Sequence, residues 1–225
     1  MRLGTANIKN YPDMPKNKVV LDGKTMSRLT DLWCHQENDP DEDYPAIMKG
    51  LDDDWAGVHG DTNVPIYYKQ SVFNLIGKRK VIVPLEPDLP LVAKPRVISA
   101  AGFKLDKRPD LPPFIVMNCH FIAGGYNGPT EVRRASQWNV EFQHLQNFVR
   151  DYKHKGRSVF VLGDFNHPRP PKPVRNFQWL VGEHLDKIGV STTGPMEVSE
   201  LNDGAVELNS DHWGQWSRCV LQATA

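Results

Sequence analysis

The chain has 225 residues, 40% of them apolar, which is enough for one domain with a sizeable buried core. Lys+Arg and Asp+Glu each number 27, so the formal net charge is zero and whole-chain attraction to nucleic acid or an anionic membrane is excluded. Any such binding has to come from local patches.

Taken in chain order, short runs rich in Val, Ile, Phe and Tyr, bounded by turn residues, predict many strands: "RLGTANI", "DLWCHQE", "VPIYYK", "SVFNLIG", "KVIVPL", "RVISAAGFKL", "FIVMNCHFI", "SVFVLGDF", "HLDKIGV" and "WSRCVLQA". A helix is read between Lys16 and Leu29, against the preference of Gly23. The clearest helical period follows the seventh run: Ala135, Trp138, Phe142, Leu145, Val149 and Tyr152 form an apolar stripe, with Arg133, Arg134, Glu141 and Arg150 off it. A further helix is expected from Pro173 to Gly182, with proline near its start. The proline clusters "PLEPDLPLVAKP", "RPDLPP" and "HPRPPKP" mark loops, since strand-like sequence flanks each of them. Two sheets packed face to face with helices outside accommodate this pattern. The three cysteines, Cys34, Cys119 and Cys219, sit far apart in apolar runs and predict reduced thiols. The start "MRLGTANIKN" has no apolar signal core, and no run approaches the roughly 18 apolar residues of a membrane span. The expectation is a cytoplasmic protein with neither a membrane nor a protein partner.

Several strands end in a residue that suits metal or phosphate binding. "GTANIKN" delivers Asn7, "LWCHQE" Glu37, "VMNCH" His120, "VLGDFN" Asp164 and Asn166, and "ELNSDHWG" Asp211 and His212. A single polar strand end is ordinary turn chemistry, but the repetition is not. The chemistry implied is hydrolysis of a phosphate ester assisted by a hard divalent cation. Magnesium takes oxygen ligands, which Glu37 and Asp211 supply, whereas the cysteine or multi-histidine clusters of a zinc site are absent. Asp164 could orient or deprotonate the attacking water, and Asp186 of "HLDKIGV" could fix a histidine tautomer.

"TANI", "HQE", "NCH", "GDFN", "LDKI" and "SDHWG", in this order from Asn7 to His212, resemble the endonuclease/exonuclease/phosphatase superfamily, the fold of deoxyribonuclease I and exonuclease III. The resemblance implies an α+β, four-layered αββα sandwich, two packed mixed sheets flanked by helices, in one domain over residues 1–225. By the same resemblance, Glu37 is the principal metal ligand, with Asn7 near the metal and scissile phosphate and Asp211 a further metal-site acid. Asp164 is similar to the water-positioning carboxylate, Asn166 to the phosphate-contacting amide, and His212 to the terminal histidine bonded to Asp186. His120 stands where deoxyribonuclease I-like members carry a second histidine. Arg96 resembles a substrate-holding arginine that opens the corresponding strand. The acidic stretch after Glu37, "ENDPDEDYPAIMKGLDDDW", shows no counterpart of the glutamate that partners that second histidine, and His167 with the basic loop "HPRPPKPVR" lies outside the core motifs. Within that loop Arg169, with Lys172 and Arg175, is the candidate for backbone phosphate contacts. Tyr67, Tyr68 and Trp213 are candidates for stacking on bases, against the ordinary packing role of strand aromatics.

The resulting expectation is a Mg2+-dependent phosphodiesterase, with Mn2+ as a substitute, acting as a nuclease on nucleic acid, DNA before RNA. The alternatives are a tyrosyl-DNA phosphodiesterase-like end-processing enzyme, a phosphomonoesterase such as one for inositol phosphates, and a non-catalytic module keeping the fold.

Overall fold

The computed structural model describes residues 1–8, 15–85, 89, 95–126, 132–181, 185–194 and 196–223. Among the described residues, twelve strands form two six-stranded sheets. The first carries β1 (Arg2–Asn7), β2 (Leu32–Gln36), β3 (Trp55–Val58), β4 (Ile66–Lys69), β11 (Met196–Glu207) and β12 (Trp213–Ala223), in the order β11-β12-β1-β2-β4-β3. The second carries β5 (Phe73–Val83), β6 (Arg96–Leu105), β7 (Phe114–His120), β8 (Ser158–Asp164), β9 (Phe177–Val181) and β10 (Asp186–Ser191), in the order β5-β6-β7-β8-β10-β9. Helices α1 (Lys16–Leu29) and α2 (Asp43–Gly50) cover the first sheet and α3 (Val132–His154) the second.

Three apolar layers follow from the period-2 alternation of the strands. Leu3, Leu32, Phe103, Phe114, Phe160, Leu162 and Ile188 meet between the sheets. Ala6, Trp33 and Tyr67, on the opposite faces of their strands, pack with Met26 and Ile47 of the helices. Met117, Val159 and Val161 pack against Trp138, Phe142 and Leu145 of α3. This is the expected four-layered αββα sandwich. Each fully buried large side chain contributes about 1.5–3 kcal/mol relative to exposure.

The same alternation aims the polar strand ends. Thr5 and Asn7 share the face of Leu3, Gln36 that of Leu32, Asn118 and His120 that of Phe114, Asp164 that of Leu162, and Asp186 that of Ile188. All of them therefore point between the sheets. In the parallel pairs β1/β2 and β7/β8, Asn7 lies opposite Gln36 and His120 opposite Asp164, so these ends come out level.

Several expectations need correction. Residues 177–181 form strand β9, paired antiparallel with β10, where a helix was expected; Phe177, Trp179 and Val181 suit a half-buried pleated edge, and Phe177 and Trp179 pack edge to face. Gly182, and residues 86–88 and 90–94 of the first proline cluster, lie outside the described residues. "SVFNLIG" and "KVIVPL" belong to one strand, β5, with a bulge between Leu75 and Gly77. The acidic segment after Glu37 contains α2, whose entry is fixed by the Asp39 carboxylate accepting the Asp41 and Glu42 amides at 2.9 and 3.1 Å. Strand β11, which no run of the sequence reading covered, carries a register shift against β12 between Glu200 and Asn202. Glu141, expected off the apolar stripe, is 1% exposed, because the buried face of α3 also takes in Gln137 and Phe148. Gly23 is tolerated in α1 because a Cβ there would meet Ile47 Cγ2 at 3.1 Å; the glycine lets α1 and α2 approach. Cys34, Cys119 and Cys219 are free and buried in strands, as read from the sequence.

Gly163 is the most constrained position of this framework. Its φ is 147°, and a Cβ would lie 2.0 Å from the Cys119 carbonyl oxygen. Gly163→Ala is expected to lower unfolding stability by about 3 kcal/mol or more, through backbone strain plus the clash; urea titration of the variant beside the parent measures it.

Candidate active site

The level strand ends form a polar floor at one end of the sandwich. Asn7 Nδ2 donates across the sheets to Asp164 Oδ2 at 2.9 Å and, on its own side, to Glu37 Oε1 at 3.2 Å. Deeper down, Gln36 Nε2 donates to Asn118 Oδ1 at 2.6 Å, Thr5 Oγ1 donates to Gln36 Oε1 at 3.2 Å, and Asn118 Nδ2 donates to the His35 and Pro65 carbonyls at 2.8 Å each. Glu37 and Asn166 take left-handed backbone conformations, φ 63° and 46°, just as the chain leaves β2 and β8. Such geometry is costly for non-glycine residues, less so for Asn, and recurs at functional sites. The Asn166 turn is held by its own groups: its amide donates to Asp164 Oδ1 at 2.7 Å, and its Nδ2 to the Phe121 carbonyl at 2.9 Å.

His120 Nε2 lies 3.7 Å from both Glu37 Oε1 and Asp164 Oδ2. Burial, followed by the charges of Arg96 and His212, lowers its pKa well below the ordinary value, so the ring is neutral. His212 is the opposite case. Burial alone would lower its pKa, but the 2.8 Å bond of Nδ1 to Asp186 Oδ2 and the charges of Asp186, Asp164 and Asp211 raise it to about 9. Asp164 is pushed up to about 7, first by burial and then by the Asp186 charge. The Asp–His dyad is thus a partly buried ion pair beside a carboxylate that gains and loses its proton near neutrality.

The loop carrying His212 is anchored from two elements. Asp22 of α1, itself buried, accepts the Asn209 amide at 3.0 Å and its Nδ2 at 2.6 Å, and Ser210 Oγ donates to the Asn7 carbonyl at 2.9 Å. Of the residues named from sequence, Asn7, Glu37, His120, Asp164, Asn166, Asp186 and His212 therefore come together, and Arg96 joins through a 3.4 Å approach of Nη1 to His120 Nδ1. Asp211 is exposed and outside the compact group that Asp164, Asp186 and His212 make. Arg169 is exposed on the loop just after Asn166, its amide bonded to His167 Nδ1 at 3.0 Å. Tyr67 is fully buried and Tyr68 nearly so, both in packing roles; Trp213 is 53% exposed beside His212. Asp22, Gln36, Asn118 and Glu141 escaped the sequence reading. An acid on a helix and an amide inside a strand signal nothing until their partners are known.

A groove of about 740 Å3 opens beside this floor, bordered by Glu37, Asp39, Asp61, Lys80, Arg96 and His120. Lys80 is ion-paired with Asp61.

No protein-family model and no curated protein sequence matches the chain. Solved structures do match. An endonuclease/exonuclease/phosphatase family protein from Bacteroides thetaiotaomicron is 14% identical, with a TM-score of 0.71 over 97% of this chain and 94% of that one. The fold is that of the endonuclease/exonuclease/phosphatase proteins. Others with this fold include a Bacteroides thetaiotaomicron mannosyl-6-phosphatase, 14% identical, with a TM-score of 0.68 over 98% of this chain and 99% of that one. D. rerio TDP2 complexed with a single strand DNA product is 12% identical, with a TM-score of 0.69 over 98% of each chain. Among the described residues, no helix is long and apolar enough to cross a membrane.

The buried Glu141 carboxyl supplies a pH test of the site's surroundings. Burial raises its pKa to about 7 from 4.5, against the opposing charge of Arg96 and the bonds from Ile122 and Gln137. A folded-state value above the unfolded one means that its protonated form favours folding, fully so below about pH 4.5, and that this contribution is lost as pH rises to about 7. Between those limits Glu141→Gln should show a flatter decline of unfolding free energy than the parent, the difference reaching about 3 kcal/mol. Chemical denaturation at pH 4.5, 5.5, 6.5 and 7.5 reads it.

Proposed function

We propose that this chain is a divalent-metal-dependent hydrolase of phosphoric esters, acting as a phosphodiesterase on nucleic acid, DNA before RNA. The observation that carries the reading is the convergence of Asn7 and Glu37 from one sheet with His120 and Asp164 from the other, beside the Asp186–His212 pair.

The residues present fit a hard cation. Glu37, Asn7 and the nearby acid Asp211 offer oxygen, and Asn7 Oδ1 is buried without a hydrogen-bond partner. The compact Asp164, Asp186 and His212 group is a poorer cage, because His212 Nδ1 is committed to Asp186. Mg2+, or Mn2+ in its place, would be held by Glu37 with Asn7 and Asp211, and would supply neutralisation of phosphoryl charge. The chain's own groups do the rest. Asp164, with a pKa near 7, orients the attacking water and takes its proton. His212, charged below about pH 9, stabilises the charge that builds on the phosphoryl oxygens. Asn166 holds the turn that presents Asp164. Two features favour a nucleic-acid substrate: Arg169, Lys172 and Arg175 are exposed on the loop that starts at Asn166, and exposed Trp213 adjoins His212 as a surface for stacking a base. The DNA-bound TDP2 neighbour supports the same reading.

One observation favours a second reading. The groove beside the site presents Asp39 and Asp61 as well as Lys80 and Arg96, and this mixture suits a small phosphorylated molecule better than a polyanion. The mannosyl-6-phosphatase neighbour is in keeping with a phosphomonoesterase of this kind.

A hydrolysis screen separates the two readings. Single- and double-stranded DNA, RNA, a 5′-phosphotyrosyl oligonucleotide, sugar phosphates and inositol phosphates are incubated with Mg2+, with Mn2+ and with EDTA. DNA cleavage that EDTA abolishes, and that falls at least about a thousandfold in Asp164→Ala and Glu37→Gln, is the expected result. Turnover confined to the phosphomonoesters would replace the nuclease reading with the second one.

A further inference from the structure

We propose that Arg96 is a positioning residue that fixes His120 in the tautomer with its proton on Nε2, so that His120 is a hydrogen-bond donor to substrate. The two site histidines are built differently. His212 turns Nδ1 to a carboxylate, as the dyad logic requires. His120 turns Nδ1 to a cation, with Arg96 Nη1 3.4 Å away.

A guanidinium has donors only, so the nitrogen facing it can only accept. The ring proton of His120 is therefore on Nε2, the atom 3.7 Å from both Glu37 Oε1 and Asp164 Oδ2. Those separations exceed a hydrogen bond, and they leave Nε2–H directed at the space over the two carboxylates. An oxygen of a bound phosphate is the acceptor that this space suits.

Helix α3 holds the backbone beyond the ring through Glu141, which is 1% exposed. Its Oε2 accepts the Ile122 amide at 2.8 Å, and its Oε1 accepts Gln137 Nε2 at 3.1 Å. Ile122 follows His120 by two residues, so Glu141 holds the backbone that leaves the ring. Arg96 Nε is buried without a hydrogen-bond partner, so the guanidinium is not anchored through that atom.

The kinetic part of the test rests on the phosphoesterase reading; the spectroscopic part does not. Long-range 1H–15N correlation of the His120 ring in the whole protein should show the Nε2–H form. Arg96→Met should give a mixture of tautomers, and Arg96→Lys, which keeps a cationic donor, should restore the Nε2–H form. Should Arg96→Met fail to fold, as judged by its thermal transition, Arg96→Gln, whose amide can either donate to or accept from Nδ1, serves the same purpose. In turnover, Arg96→Met should lower kcat about 10- to 100-fold, the range seen when an outer partner of a site imidazole is lost, with KM changed far less. The double variant with His120→Ala should be no worse than His120→Ala alone. An unchanged tautomer in Arg96→Met, or losses that multiply in the double variant, would overturn the proposal and make Arg96 a direct substrate contact. If no substrate turns over, the tautomer measurement still decides.

Discussion

The hydrogen bond from Asn7 to Asp164, 2.9 Å long and buried between two sheets, is the constraint on which the rest of the site depends. Polar groups facing a sheet-to-sheet interior must find partners or cost several kcal/mol each. Here they find them across the layer: Asn7 with Asp164, and below it Gln36 with Asn118. These bonds register the end of one sheet against the end of the other. Slipping either strand by one residue would turn its site residue into the helix layer, where Ala6 and Trp33, or Val161 and Met117, now pack.

Registration allows charge to be held where folding alone would not place it. Asp164, Asp186 and Glu141 are all at most 2% exposed, and burial raises each pKa. Each is tolerated because specific groups reach it: the Asn7 amide and the Asn166 backbone for Asp164, His212 for Asp186, and Ile122 with Gln137 for Glu141. Dipoles and charges fixed in this way need no rearrangement when charge develops on a substrate. The left-handed turns at Glu37 and Asn166 belong to the same arrangement, since they present side chains outward from strands that end buried.

The elements that stabilise the site are dispersed along the chain. Asp22 of α1 grips the loop of His212 across 187 positions of sequence, and Glu141 of α3 grips the backbone after β7. Neither residue touches the carboxylate cluster. Their positions explain why helices that only cover the sheets also bear on the geometry of the polar end of the sandwich.

Much of the site was legible because its residues sit at the ends of apolar strands, and a run such as "VLGDFN" advertises both the strand and the side chain that it delivers. The order of these runs, and the alternation within them, determined the sandwich and the set Asn7, Glu37, His120, Asp164, Asn166, Asp186 and His212. What stayed hidden depended on partners. The fate of 177–181 turned on pairing with β10, the acidic stretch carries α2, whose Ile47 packs on α1 at Gly23, and Glu141 looked solvent-facing until α3 was rotated onto the second sheet. Local composition carries the periodicity of an element and the chemistry of its ends. Which face is buried, which charge stands beside which imidazole, and therefore which histidine is charged and which is neutral, are pairwise distances between segments far apart in the chain, and only the tertiary structure decided them.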